Sequence, residues 1–120
     1  HTFGHALESY FNYSQILLHG EAVSLGIVFA TCFSYEEGYV KRQALDDIEE
    51  HLSVMKLPTA VTQIDNQKLS PGKLINFMKQ DKKVVGSNIN LILLRDIGTG
   101  FIERSVSFEK LEDFLQRQLD

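Results

Sequence analysis

Three of the four histidines in this 120-residue chain fall within its first nineteen residues. His1 and His5 are four residues apart, so on a helix they project from the same face. His19 stands beside Gly20 and Glu21 at the start of a long apolar run. Imidazole is the commonest metal ligand and exchanges protons near neutral pH. The cluster is therefore the candidate site for metal binding or acid–base catalysis.

Each of these features also has an ordinary structural explanation. The His-x-x-x-His pair lacks the zinc-protease signature, because Thr2 stands where that signature requires glutamate. Glu21 complements the dipole at a helix N-terminus. The segment 81–83, Asp-Lys-Lys, is typical of a solvated helix end, with anion capture as the functional alternative. No complete Gly-x-Gly-x-x-Gly fingerprint occurs, so this chain alone is not expected to bind a dinucleotide.

The composition indicates one soluble globular domain over residues 1–120, with 43% hydrophobic and 23% charged residues. A net charge of −4 without a basic stripe predicts no nucleic-acid partner. The single cysteine, Cys32, excludes a disulfide framework and favours a cytoplasmic location. The longest apolar run, 22–33, falls short of the roughly 20 residues of a membrane span. Because the chain opens on a motif histidine, we expect it to be a fragment of a longer protein.

Hydrophobic periodicity predicts a mainly α, multi-helical domain with a small antiparallel β-hairpin near residues 89–106. The expected helices cover about 1–10, 18–39, 41–56 and 70–81, with a last helix after Ser107. The second of these is apolar nearly all round, which predicts a buried central helix. In the third, the expected buried stripe is Leu45, Ile48, Leu52 and Met55.

Local signals place the ends of several elements. Ser70, followed by Pro71, and Ser107 are expected N-caps. Residues 88–95 are apolar on both faces, which predicts a strand that is covered on both sides. The segment 96–100 is the expected turn of the hairpin.

Four motifs occur in a fixed order along the chain: His-Thr-Phe-Gly-His-Ala-x-Glu (1–8), Leu-His-Gly-Glu-Ala-Val-x-x-Gly (18–26), Asp-Lys-Lys (81–83) and Leu-Leu-Arg-x-Ile-Gly (93–98). Together they closely resemble the C-terminal domain of the 3-dehydroquinate synthase family. The resemblance covers nearly the whole chain, and the first two motifs are specific to that family and its sugar-phosphate cyclase relatives.

The resemblance implies a lyase of the shikimate pathway, which leads to chorismate and the aromatic amino acids. Its members convert 3-deoxy-D-arabino-heptulosonate 7-phosphate into 3-dehydroquinate and phosphate, through transient oxidation by NAD, phosphate elimination, re-reduction, ring opening and aldol closure. NAD binds in an N-terminal α/β domain that is absent from this chain. Zinc, or another divalent metal such as cobalt, lies in the cleft against the helical domain. A homodimer is implied for the complete enzyme.

The family's site residues are carried onto this chain by motif: metal ligands His1 and His19, catalytic and substrate-contacting His5, and substrate anion-binding Lys82 and Lys83. The third metal ligand, a glutamate, belongs to the missing N-terminal part. We hypothesise that Glu21 orients the imidazole of His19 without binding the metal itself, as carboxylates often do at metal sites. We expect the chain alone to hold zinc weakly and to be catalytically inactive.

Three alternatives remain open at this point. The first is a related sugar-phosphate cyclase of the 2-deoxy-scyllo-inosose or 2-epi-5-epi-valiolone synthase type. The second is a non-catalytic helical interaction domain with vestigial histidines. The third is a small metal-binding protein without redox chemistry, for which Glu8 and Glu21 are the nearby carboxylate candidates.

Overall fold

The computed structural model describes residues 2–11, 16–64, 69–80, 84–85 and 88–119, with the backbone alone at 84–85. The predicted fold class is confirmed, since these residues form a mainly helical domain with a small antiparallel sheet. The elements in chain order are α1 (Thr2–Tyr10), α2 (His19–Glu36), α3 (Arg42–Val54), a 3-10 turn (Val61–Gln63), α4 (Pro71–Met78), β1 (Val84–Val85), β2 (Asn88–Asp96), β3 (Thr99–Ser107) and α5 (Phe108–Leu119). Within the described ranges, no helix combines the length and the apolar character that a membrane crossing needs.

Both predicted serine caps are confirmed. The Ser70 hydroxyl accepts a hydrogen bond from the Lys73 N–H at 3.2 Å, and Pro71 is the first residue of α4. The Ser107 hydroxyl accepts one from the Lys110 N–H at the same distance. Each cap satisfies an amide that the first turn of the helix leaves without an intrahelical partner, which fixes where α4 and α5 begin.

The predicted stripe of α3 is correct at Leu45 and Leu52, which are buried, and wrong at Met55, which is 56% exposed. Helix α3 ends at Val54, so Met55 lies beyond its last turn and no longer shares the buried face. The next residue, Lys56, has a positive φ of 61°, which turns the chain away from the helix axis.

The sheet has the order β1-β2-β3, and both pairs are antiparallel. Strand β2 pairs with β3 up to Asp96 opposite Thr99, so the turn contains two residues, Ile97 and Gly98. The turn is shorter than the predicted segment 96–100. Gly98 has a φ of 81°, a conformation that is open to glycine and strained for most other residues.

Strand β2 is covered on one face only, which corrects the prediction of a strand covered on both sides. Ile89, Leu91 and Leu93 are buried at 0–2% exposure, whereas Ile92 on the opposite face is 58% exposed. Its partner across the hairpin, Ile102, is 53% exposed. The apolar character of this second face therefore has no covering layer among the described residues.

Phenylalanine side chains from three helices join the core. Phe114 of α5 is fully buried, and its ring centroid lies 5.2 Å from that of Phe33, 6.1 Å from that of Phe3 and 6.4 Å from that of Phe29. The contacts with Phe33 and Phe29 are edge-to-face, the arrangement that the ring quadrupoles favour. Helix α2, which supplies Phe29 and Phe33, therefore packs against both α1 and α5.

Helices α1 and α2 approach each other through a pair of glycines. A Cβ on Gly26 would lie 3.0 Å from the nitrogen and 3.3 Å from the Cα of Gly4. Conversely, a Cβ on Gly4 would lie 3.1 Å from the carbonyl oxygen of Ala22. All of these neighbours are backbone atoms, which cannot move aside as a flexible side chain can. The two backbones are therefore in close contact, and a side chain at either position would force the neighbouring backbone to shift by a few tenths of an ångström.

We predict that Gly26→Ala destabilises the fold by about 1–3 kcal/mol, because the added methyl group forces α1 away from α2. The measurement is the free energy of unfolding by urea, followed by circular dichroism.

Gly20→Ala in the same helix is the matched control, since a Cβ there meets no atom within 4 Å. This variant is expected to be neutral or more stable by up to about 1 kcal/mol, as alanine is the better helix former. Equal stability of the two variants would show that the backbones are not in contact at Gly26.

Candidate functional site

A cavity of about 280 Å³ opens between α1, α2 and β2. Its polar lining residues are His5, Glu8 and His19, and its other lining residues are Gly4, Val23, Gly26, Ile27, Ala30, Ile92 and Leu94. Three polar groups thus converge above an apolar floor, which is the usual composition of a small-molecule site. Ligand pockets usually have volumes of roughly 300 Å³ or more, so this cavity is slightly smaller than a typical pocket. Its size is that expected of one wall of a larger site.

The position of His19 follows from local structure. It is the first residue of α2, and its side chain is 68% exposed at the mouth of the cavity. Its Nδ1 atom lies 3.0 Å from Oε2 of Glu8, a residue of α1 whose side chain is only 13% exposed. The contact joins two helices whose spacing is set by Gly4 and Gly26. The structure therefore brings His19 together with a carboxylate that is eleven residues away in sequence.

Glu21 bonds to the backbone at the start of α2. Its Oε1 atom accepts a hydrogen bond from the Leu18 N–H at 2.9 Å, so it satisfies an amide at the start of α2. It also lines a separate cavity, together with Lys56 and Pro58 among others. The carboxylate that the structure gives to His19 is that of Glu8.

His5 is exposed and lines the cavity together with Glu8 and His19. His1, Lys82 and Lys83, which the sequence names as a metal ligand and as substrate-binding residues, lie outside the described residues. Across the part of the chain that is described, no group of three or more His, Cys, Asp or Glu side chains could hold a metal ion. His19 could offer one imidazole nitrogen to a metal ion. A complete metal site would need further ligands from outside the described residues.

The apolar floor of the cavity was not foreseen as part of the site. Ile27 of α2 is 41% exposed, although its helix was expected to be buried all round. Ile92 and Leu94 come from β2. The strand is held against α2 by Ser34, whose hydroxyl accepts the Leu94 N–H at 3.0 Å and donates to the Ala30 carbonyl at 2.7 Å. From the sequence alone, apolar residues that line a binding site cannot be distinguished from apolar residues of the core.

Cys32 takes no part in the cavity. It is 8% exposed, and burial raises the pKa of its thiol to about 11, helped by the nearby carboxylates of Glu49 and Glu36 and opposed by Arg42. The thiolate is the nucleophilic form, and at neutral pH it is scarcely populated here. Cys32 is therefore an inert core residue.

The chain is similar to a known protein family. The profile of the family described as 3-dehydroquinate synthase C-terminal matches residues 1–84. The 3-dehydroquinate synthase of Bartonella quintana (strain Toulouse) is 38% identical over 120 residues, which covers 99% of this chain and 32% of that protein. The 3-dehydroquinate synthase of Rhodopseudomonas palustris (strain BisB18) is 39% identical over 123 residues, with the same coverage. The chain thus spans about a third of the length of these relatives.

Solved structures share the fold at lower sequence identity. A crystal structure of 2-deoxy-scyllo-inosose synthase complexed with carbaglucose-6-phosphate, NAD+ and Co2+ has a TM-score of 0.77 at 20% identity, covering 99% of this chain and 32% of that one. Another crystal structure of 2-deoxy-scyllo-inosose synthase has a TM-score of 0.72 at 18% identity, covering 99% and 31%. At these identities the similarity establishes the fold of the domain.

We predict that Ser34→Ala lowers the free energy of unfolding by about 1–2 kcal/mol, because the part-buried Leu94 N–H loses its acceptor. Thr31→Val is the matched control, since the Thr31 hydroxyl donates only to Ile27 of its own helix. The control should change stability by less than 1 kcal/mol, as that carbonyl keeps its place in the helix. Equal losses in urea unfolding would show that Ser34 does not anchor β2.

A second prediction follows from Cys32. Between pH 9 and pH 11 the thiol ionises in the unfolded chain but stays protonated in the folded one, so stability falls as pH rises through this window. Relative to Cys32→Ala, the wild-type chain should lose about 1.4 kcal/mol per pH unit there and nothing below pH 8. Urea unfolding at pH 7, 9 and 10 measures this difference. A constant difference would mean that the thiol keeps an ordinary pKa.

Proposed function

This chain belongs to the 3-dehydroquinate synthase C-terminal family, and we propose that it is the C-terminal part of a 3-dehydroquinate synthase. The complete enzyme would convert 3-deoxy-D-arabino-heptulosonate 7-phosphate into 3-dehydroquinate and phosphate. One observation carries the proposal: the histidines of two family motifs, His5 and His19, line one cavity although they lie on different helices. Relatives that bear this name are 38–39% identical over nearly the whole chain.

We assign His1 and His19 to a divalent metal ion, zinc or cobalt, whose third ligand is a glutamate from the preceding part of the protein. The Nδ1 atom of His19 is engaged by Glu8, so its Nε2 atom is the donor for the ion. When bound, such a cation stabilises negative charge on a substrate oxygen. The solved 2-deoxy-scyllo-inosose synthase, which contains Co2+ and NAD+, supports the same requirement for a metal and NAD here.

His5 supplies the proton-transfer group. Its imidazole is exposed and lines the cavity, and imidazole is the side chain most often used for proton transfer in enzymes. Lys82 and Lys83 are assigned to an anionic group of the substrate from the Asp-Lys-Lys motif alone. As compact positive charges, lysines suit the recognition of a phosphate or carboxylate.

Ile27 and Ile92 form the floor beside these polar groups, and both are well exposed. A floor of this kind excludes water once another part of the protein covers it, and this strengthens the electrostatic contacts within. The chain spans about a third of its relatives' length, so the proposed cover is the NAD-binding remainder. We further assign the complete enzyme to the cytoplasm and to a homodimer, on the basis of the family resemblance.

The second candidate is a sugar-phosphate cyclase acting on another substrate. It is favoured by the fold shared with 2-deoxy-scyllo-inosose synthase at a TM-score of 0.77. The sequence relatives argue for the first candidate, because they are about twice as similar, at 38–39% against 18–20% identity. A helical interaction domain and a small metal-binding protein remain as the other outcomes of the test below.

The test compares this chain alone with the same chain joined to the preceding part found in its relatives. We expect the joined protein to bind one zinc or cobalt ion tightly and to form 3-dehydroquinate with NAD present. The chain alone should bind the ion weakly and show no turnover, because two histidines make an incomplete ligand set. Metal content by mass spectrometry and a coupled assay for 3-dehydroquinate are the measurements.

His19→Ala in the joined protein should abolish tight metal binding, whereas His51→Ala, an exposed residue of α3, should leave it unchanged. Tight binding by the chain alone would favour the small metal-binding protein. Turnover of a hexose 6-phosphate in place of the heptulosonate would favour the other cyclase. A joined protein without metal or activity would favour the interaction domain.

A further inference from the structure

We propose that Glu8 is the positioning residue of His19: its carboxylate holds the imidazole as the Nδ1–H tautomer and so keeps the Nε2 lone pair available to a divalent cation. The inference rests on the proposed function and adds to it a residue that the metal-binding histidines depend on. Glu21 is the neighbour of His19 in sequence, but the carboxylate in contact with its imidazole is that of Glu8.

The geometry of the contact supports this assignment. Oε2 of Glu8 lies 3.0 Å from Nδ1 of His19, which is hydrogen-bonding distance. A carboxylate oxygen accepts a hydrogen bond, so this contact is a hydrogen bond when Nδ1 carries the proton, and that is the tautomer we propose. A neutral imidazole carries one N–H, and fixing it at Nδ1 leaves Nε2 as the unprotonated nitrogen. That is the form in which a histidine binds a metal ion through Nε2.

The two side chains differ in burial in the way that this role requires. The Glu8 side chain is 13% exposed, whereas that of His19 is 68% exposed. A carboxylate largely removed from water needs a hydrogen-bond donor, and His19 supplies one. The exposed ring edge remains open to the cavity that both residues line. Glu8 therefore acts from behind the imidazole, on the side away from solvent.

The contact is also held by the helix packing. Glu8 lies one helical turn after Gly4 on α1, and His19 lies two turns before Gly26 on α2. Gly4 and Gly26 bring the two backbones together, and the carboxylate and the imidazole lie on these two closely packed helices. A hydrogen bond between two rigid elements restricts the ring more than one within a single flexible segment would.

The tautomer of His19 can be measured without any metal. In the 15N-labelled chain at pH 8, long-range 1H–15N spectra distinguish a protonated from an unprotonated ring nitrogen for each histidine. We expect His19 to show protonated Nδ1 and unprotonated Nε2. His51, exposed on α3, serves as the internal reference and should show the Nε2–H form that dominates in free imidazole side chains. An Nε2–H pattern for His19 in the wild-type chain would overturn the proposal.

Two variants test the cause. Glu8→Ala should move His19 to the pattern of His51, whereas Glu21→Ala should leave the His19 pattern unchanged, because Glu21 bonds to the Leu18 N–H. In the joined protein, Glu8→Ala should weaken zinc or cobalt binding ten- to hundred-fold, as the loss of outer carboxylate partners does at other metal sites. A purely structural ion pair would lower the melting temperature without changing the tautomer.

The failures of the two proposals are distinguishable. If His19→Ala lowers metal affinity and Glu8→Ala leaves it within two-fold of wild type, the positioning role is wrong and the metal site stands. If His19→Ala leaves metal affinity unchanged, the proposed metal site itself is wrong. The wild-type tautomer is read on the unaltered chain, so the inference stays testable even where Glu8→Ala does not fold.

Discussion

The site depends on the contact between the Gly4 and Gly26 backbones. With a side chain at either position, α1 would have to move outward, since the nearest atoms are backbone atoms at 3.0–3.1 Å. The 3.0 Å contact between Glu8 and His19 tolerates little such movement, because hydrogen bonds weaken once the distance exceeds roughly 3.2 Å. A steric condition at two glycines thus sets a polar geometry one to two helical turns away. Glycine has a lower helix propensity than alanine, so the close packing that sets this geometry lowers the intrinsic stability of both helices.

A second condition comes from the sheet. Strand β2 buries Ile89, Leu91 and Leu93 against the helices, and this single buried face sets the orientation of the whole strand. Its other face then presents Ile92 beside Ile27 of α2, where each is 41–58% exposed. An isolated domain gains nothing from apolar groups left in water. The relatives are about three times as long as this chain, and the cover that we propose from the preceding part would remove these groups from water.

Much of the fold was predictable because it depends on short-range effects. Serine hydroxyls at 70 and 107 cap the helices that follow them, and the alternation of apolar residues in β2 locates the hairpin. Long-range relations are the part that sequence patterns do not show. Sequence adjacency suggested Glu21 as the partner of His19, but the first turn of α2 uses that carboxylate for its own amide. Glu8 reaches the imidazole of His19 only because α1 packs on α2. In a strand that is apolar on both faces, the sequence pattern also does not indicate which face stays exposed.

Electrostatics explains why carboxylates gather where α2 begins. The N-terminus of a helix carries about half a positive charge, which opposes a cation bound to a residue at that end. His19 is the first residue of α2, so the metal ion that we propose on its imidazole would meet this unfavourable field. Glu21 lies in the first turn and bonds to the Leu18 N–H, and Glu8 bonds to the imidazole from the neighbouring helix. Together the two carboxylates offset the helix dipole. The same start of α2 could therefore expose an imidazole and still accept the divalent cation that we propose.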